Sequence, residues 1–498
     1  MRPKFSSRVC VLTLLICLGV RAFTPQDIGG TLAFQGQDII GGAAIIFKAP
    51  KRVKDLAGNT AAMLAARRPP RSNRPSEVSR NNRPVTQPTP TVVATTPTVT
   101  TEERAEALKE QANTHYNRGD FQQAIEAYQN ALKLDANDAD VYNNLGASLY
   151  RAGRYKEASE AFQSAVRLTP GDADALNNLG AVYYVLAQYE RALDSFQKAT
   201  AAKADSADAH YNLGNAYYMS GRNREAAAAY RKAIELNPNY VEAKTNLGSL
   251  LISSDPRAAA AELQESLRLR SDNPVAYNNL GYVYVKIAET LDRGGAVQYL
   301  RQAVDAYKEA LRLKPDYVKA MNNLGAAYNK LGQYQEAVVL LRNATRAKPD
   351  FPEAHYNLGT ALYNIGDLKN AVTEFQQAVS LRQGYAEAYN SLGTALYKDQ
   401  QFDAAIEAYK KTLALKSANA ETNNNLGTVY FRTKRYQEAA ASFKEAIRIK
   451  PDYGEAHFNL ALAYVALNDR KAALDEYNRL KKLDPKLAEE FFQRYMKK

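Results

Sequence analysis

One amide side chain returns at a fixed interval along this 498-residue sequence. Asn144, Asn178, Asn212 and Asn246 follow one another every 34 residues, and Asn279, Asn323, Asn357, Asn425 and Asn459 continue the row, which Glu110 and Ser391 break. An asparagine amide carries a carbonyl acceptor and two N–H donors, so it can pair with both the C=O and the N–H of a peptide unit. A ladder of them on one face is expected to hold an extended chain by its backbone, whatever its side chains. Six residues beyond six places of the row, that of Ser391 among them, lie Tyr150, Tyr184, Tyr218, Tyr363, Tyr397 and Phe431. Their flat rings suit recognition at small entropic cost. The plainer reading of both rows is structural, with Asn as a polar filler and the rings packed on the next repeat. Acidic residues four places before the row, among them Asp140, Asp174, Asp208, Glu242, Glu353, Glu387, Glu421 and Glu455, are accounted for by the field of a helix N-terminus.

Other chemistry is sparse. Of the four histidines, His210, His355 and His457 occupy the place that Tyr142 and Tyr277 fill elsewhere, and His115 stands alone, so they read as packing substitutes and imply no metal site. The sequence carries no phosphate-cradling Gly loop, nucleophile elbow or zinc-binding helix motif. The expectation is a chain without catalytic residues, cofactor or metal.

These side chains are positioned by a unit of 34 residues, Ala139 to Asp172, ADVYNNLGASLYRAGRYKEASEAFQSAVRLTPGD. Self-similarity at such a period marks a solenoid. Apolar residues recur at helical spacing twice, first at Tyr142, Leu145 and Leu149, then at Ala158, Phe162, Ala165 and Leu168. Two antiparallel helices with a turn at Gly153 are predicted. Small residues at Gly146, Ala158 and Ala165 let the helix axes approach, and Pro170 ends the unit.

In Leu145, Gly146, Ala158, Phe162, Ala165 and Pro170 the unit resembles the tetratricopeptide repeat family, with Leu149 where that family usually has Tyr. The resemblance implies an all-α, right-handed superhelical solenoid of about eleven repeats, with the first helices on the concave side. In that frame the asparagine row is similar to the asparagine ladder of the O-linked N-acetylglucosamine transferase superhelix. It implies protein partners bound through extended segments. A carboxylate clamp would need inward Lys and Arg on consecutive first helices, where this chain has Asn, Tyr, Asp and Glu.

The repeats are expected at 105–138, 139–172, 173–206, 207–240, 241–273, 274–317, 318–351, 352–385, 386–419, 420–453 and 454–487, with a capping helix over 488–498. The fifth is one residue short, and Ser254-Asp255-Pro256 replaces its Gly turn. The sixth is ten residues too long, with the excess expected around Ile287 to Tyr299, shared between both helices, and the turn at Gly294-Gly295. The first, with Gln111-Ala112 for Leu-Gly, reads as a polar-faced end.

Ahead of the repeats, residues 1–22 read as a secretory signal: Arg2, Lys4 and Arg8 precede an apolar run from Val9 to Val20. That run has 12 residues, short of the ~20 needed to span a membrane. Cys10 and Cys17, the two cysteines, both fall in it. Residues 23–104 form a Gly-rich leader and a Pro/Thr/Arg-rich linker expected to be disordered. The net charge of +12 is concentrated there: the first 100 residues hold 14 Lys or Arg against 4 Asp or Glu, the rest 51 against 49. A nearly neutral array excludes the basic stripe of a nucleic-acid binder. The sequence thus leads to an exported scaffold, periplasmic or secreted, binding extended peptide segments and having no membrane span after cleavage of the signal; its oligomeric state is left open. Two other readings are a regulatory or targeting subunit of a separate glycosyltransferase or envelope export machine, and a structural spacer of the cell envelope.

Overall fold

The computed structural model describes residues 100–496. The signal, the leader and nearly all of the linker lie outside the described residues. Among the described residues there are 23 α-helices, a short π-helical stretch and no strand. They divide into two compact units, one ending at Leu251 and the other beginning at Ile252. Each is a row of antiparallel helix pairs.

Repeat two shows why the sequence folds so. Asp138 caps its first helix, Ala139–Arg151, accepting a hydrogen bond from the Val141 N–H at 2.9 Å. Gly153, at φ 76°, reverses the chain: its N–H and that of Arg154 close onto the carbonyls of Tyr150 and Leu149. The second helix, Tyr155–Leu168, then lies back along the first. Elsewhere Ala187, Gln400, Lys434 and Asn468 take the same left-handed turn without glycine, at φ from 56° to 66°. The closing hydrogen bonds are the same there.

The pair is held together where a glycine meets a ring. A Cβ placed on Gly146 would lie 2.7 Å from the Phe162 ring, and the same approach recurs at Gly180 with Phe196, Gly214 with Tyr230, Gly359 with Phe375 and Gly427 with Phe443. All of these rings are fully buried. In repeat seven, Leu341 takes the place of the ring against Gly325. Burying an aromatic side chain contributes on the order of 2–3 kcal/mol from the area removed from water, so the pair is organised around this contact.

The structure revises four sequence expectations. The first helix begins at Thr101 instead of 105, because Thr100 and Glu103 form a capping box. Gly294-Gly295 is not the turn of repeat six. The turn is at 289–292, and Asp292 accepts from the Gly295 N–H at 2.9 Å, placing both glycines in the first turn of a helix that runs Arg293–Leu313. The excess is shared unequally: Pro274–Ala288 has 15 residues against the usual 13, but Arg293–Leu313 has 21 against 14. At the C-terminus the cap starts earlier, as helix Pro485–Phe491 followed by the π-helical Phe492–Met496, with Phe491 packed edge-on against Phe458 at 5.6 Å. The fifth repeat behaves as its sequence indicates, with Asp255 capping Ala258 at 3.0 Å and Pro256 at the first helical position.

Replacing Gly359 by Ala is expected to lower stability by about 1–3 kcal/mol, because the Phe375 ring has no room to move in a filled core. Combining it with Phe375→Ala should cost less than the sum of the two single changes, because the deleted ring is what the added methyl meets. Urea unfolding of the single and paired variants checks this.

Candidate peptide-binding surface

Within each unit the first helices of successive repeats lie against one another, so the predicted rows form continuous lines. The asparagine row is not, however, on a solvated face. Asn144, Asn178, Asn212, Asn246, Asn279, Asn323, Asn357, Asn425 and Asn459 are only 0% to 7% exposed. The Nδ2 of Asn178 donates to Oδ1 of Asn143 in the preceding repeat at 3.1 Å. Asn212 donates likewise to Asn177 at 2.9 Å, Asn323 to Asn278 at 3.0 Å, Asn357 to Asn322 at 2.8 Å and Asn459 to Asn424 at 3.0 Å. Asn246 reaches Asn215 at 3.1 Å, since Tyr211 stands where the partner amide would be.

For these six residues the expected presentation of a full amide to a bound chain is corrected. Their donors tie repeat to repeat, and the same burial applies to Asn144 and Asn279. Sequence reasoning missed the acceptors, which in five of the six pairs lie one residue before the row. The signal was present as the doublets Asn143-Asn144, Asn177-Asn178, Asn278-Asn279, Asn322-Asn323 and Asn424-Asn425.

Asn425 departs from the rule. Its acceptor in the preceding repeat would be Asn390, whose Oδ1 instead accepts from the Thr422 hydroxyl at 2.9 Å. Asn425 lines a cleft of about 430 Å³ together with Glu421, Glu455, Lys450, Tyr453 and Asp484. Here the amide row and the acidic row meet open space. Two other members of the acidic row form ion pairs, Glu353 with Arg382 and Glu387 with Lys416, each within one repeat.

The tyrosine row is chiefly packing. Tyr150 meets Tyr155 edge-on at 5.4 Å, Tyr184 meets Tyr189 at 5.6 Å and Tyr397 tilts on Phe402 at 5.9 Å, in each case across the turn of one repeat. Tyr184 and Tyr363 are buried, and Lys398 sits 4.3 Å above the Tyr363 ring. Tyr150, Tyr218 and Tyr397 are half-buried and retain an open edge.

Two histidines form matched pairs. His355 Nδ1 lies 2.6 Å from Glu374 and its Nε2 3.0 Å from the Pro349 carbonyl; His457 repeats this with Glu476 and Pro451 at the same distances. Two acceptors, one on each ring nitrogen, favour the doubly protonated ring. Burial alone would lower the affinity for the proton, but the carboxylate and the carbonyl outweigh it, so both histidines are raised above 6.5. Among the described residues no group of three or more His, Cys, Asp and Glu is placed to hold a metal ion, and no helix is long and apolar enough to cross a membrane.

Asn178→Ala is expected to cost about 1–2 kcal/mol, because it leaves the buried Asn143 carbonyl without its donor. A double-mutant cycle with Asn143→Ala should give a combined loss smaller than the sum. The histidine pairs contribute stability that is whole below about pH 6.5 and is lost as the pH rises through the higher folded value, so the urea midpoint should fall as the pH is raised above about 6.5. The variant His355→Gln/His457→Gln should flatten that profile.

No curated protein sequence matches this chain. Among solved structures it is similar to the Cut9–Hcn1 heterotetramer of the APC/C, at 14% identity over 79% of this chain and 96% of that one, with a TM-score of 0.44. It is also similar to YrrB, described as a TPR protein with an unusual peptide-binding site, at 24% identity over 40% and 96% with a TM-score of 0.34. MamA of Desulfovibrio magneticus RS-1 matches at 26% over 34% and 95%, with a TM-score of 0.33. Family descriptions are more direct. Models described as tetratricopeptide repeat or TPR repeat match residues 109–173, 187–221, 207–240, 300–332, 326–366, 361–400, 390–454 and 430–491. With the glycine-on-ring helix pairs repeated through both units, these matches make the chain a member of the tetratricopeptide repeat family, a protein-interaction scaffold.

Proposed function

We propose that this scaffold is exported and non-enzymatic, and that it holds extended segments of other proteins along the face of its first helices. Export rests on the basic, then apolar pattern of residues 1–22. One observation supports the binding mode most directly. In the cleft at Asn425 an amide with no partner amide in the preceding repeat lies among Glu421, Glu455 and Asp484. An amide can pair with a peptide unit's C=O and N–H, and the carboxylates favour a Lys or Arg side chain beside it. The half-open rings of Tyr150, Tyr218 and Tyr397 offer further flat contact area on the same kind of helix. The ladder itself, in this reading, keeps the repeats in register and does not grip the ligand.

The two jobs separate experimentally. On a peptide array probed with the full chain, Asn425→Ala with Glu421→Gln should weaken the bound peptides by about tenfold or more while the melting temperature hardly moves. Asn357→Ala should lower the melting temperature instead. Unchanged binding by the Asn425 and Glu421 variant overturns the proposal.

A further inference from the structure

The long second helix of repeat six creates a second surface, apart from the first-helix face. Its seven extra residues add roughly 10 Å at 1.5 Å per residue. The second helix of repeat seven starts only at Tyr334, so it does not cover that extension. The result is a cleft of about 700 Å³. Its floor is apolar, built from Val297, Leu300, Val304 and Leu331, with Tyr328 beside them. Its rim carries Arg293, Arg301, Lys308 and Lys330 against two carboxylates, Asp305 and Glu336. Arg293, Arg301 and Lys308 are exposed and make no ion pair among the described residues, whereas Lys330 reaches Glu289 at 3.4 Å. An array that is nearly neutral overall therefore concentrates positive charge around one apolar hollow.

We propose that this cleft docks a short acidic segment of a partner protein, which inserts a bulky apolar side chain between the extension and repeat seven. Charge complementarity selects this occupant: the hundred residues at the chain's own N-terminus hold 14 Lys or Arg against 4 acids and would be repelled. The extension is also built to stand as a helix, capped by Asp292, and Tyr299 tilts on Tyr284 at 6.0 Å to brace it. The apolar floor excludes water beneath the rim, which strengthens each charge pairing there.

The test is fluorescence anisotropy of the full chain with a labelled peptide of twelve residues in which Glu alternates with Leu and Phe, beside the same peptide with Lys for Glu. The acidic peptide should bind, the basic one should not, and the affinity should fall as salt is raised. Arg301→Glu with Lys308→Glu should weaken binding by about tenfold or more, and Val297→Ser should weaken it without changing charge. Arg167→Glu, on an exposed helix of the other unit, should have no effect. Equal binding of both peptides, no binding of the acidic one, or full binding by the charge-reversed variant overturns the proposal. Self-association of the parent chain that Arg301→Glu/Lys308→Glu abolishes, without peptide binding, overturns it in favour of a second copy as the occupant.

Discussion

The contact of a glycine backbone with a ring is the constraint on which the rest depends. At Gly146 and Phe162, and at each equivalent place, the helices approach until a methyl group would collide. This closeness fixes where the two helices of a repeat cross, and so fixes which residues of the first helix turn toward the next repeat. The end repeats carry Ala112 and Ala461 there, both fully buried.

Polar groups are arranged around that contact. In three repeats where the ring is a tyrosine, a polar residue of the first helix meets its hydroxyl: Asn113 for Tyr128, Asn215 for Tyr230 and Thr394 for Tyr409. Phe162 and Phe196 face repeats with Ala147 and Ala181 at the same place. The inter-repeat amide bonds add a second, directional link. Each brings a modest net gain, on the order of 1 kcal/mol, but leaving one side unmade costs more, so the row penalises any slip between repeats.

Much of this was legible in the sequence. Period, helix pairs, the crossing glycines and the Asp255-Pro256 start of a helix followed from local rules about size, backbone freedom and capping. What was not legible had specific causes. Adjacent asparagines differ by only 100° around a helix, so Asn177 and Asn178 look alike until the neighbouring repeat shows which donates and which accepts. Gly294-Gly295 resembles a turn, yet the first turn of a capped helix takes glycine readily, and the position of Asp292 decided the matter. The cleft at Asn425 depended on Thr422 engaging Asn390, a contact 32 residues apart in sequence. The basic rim beside Leu300 needed the unequal lengths of two helices from different repeats.

The amide row runs one way: in the pairs from Asn178 with Asn143 to Asn459 with Asn424, the later repeat donates and the earlier one accepts. During synthesis, a repeat leaving the ribosome therefore finds its acceptor already fixed by the one before it, while that acceptor can meanwhile be hydrated. In those pairs assembly from the N-terminus leaves the acceptor, not the donor, waiting at the growing edge, and the order of translation is also the order in which these junctions can be completed.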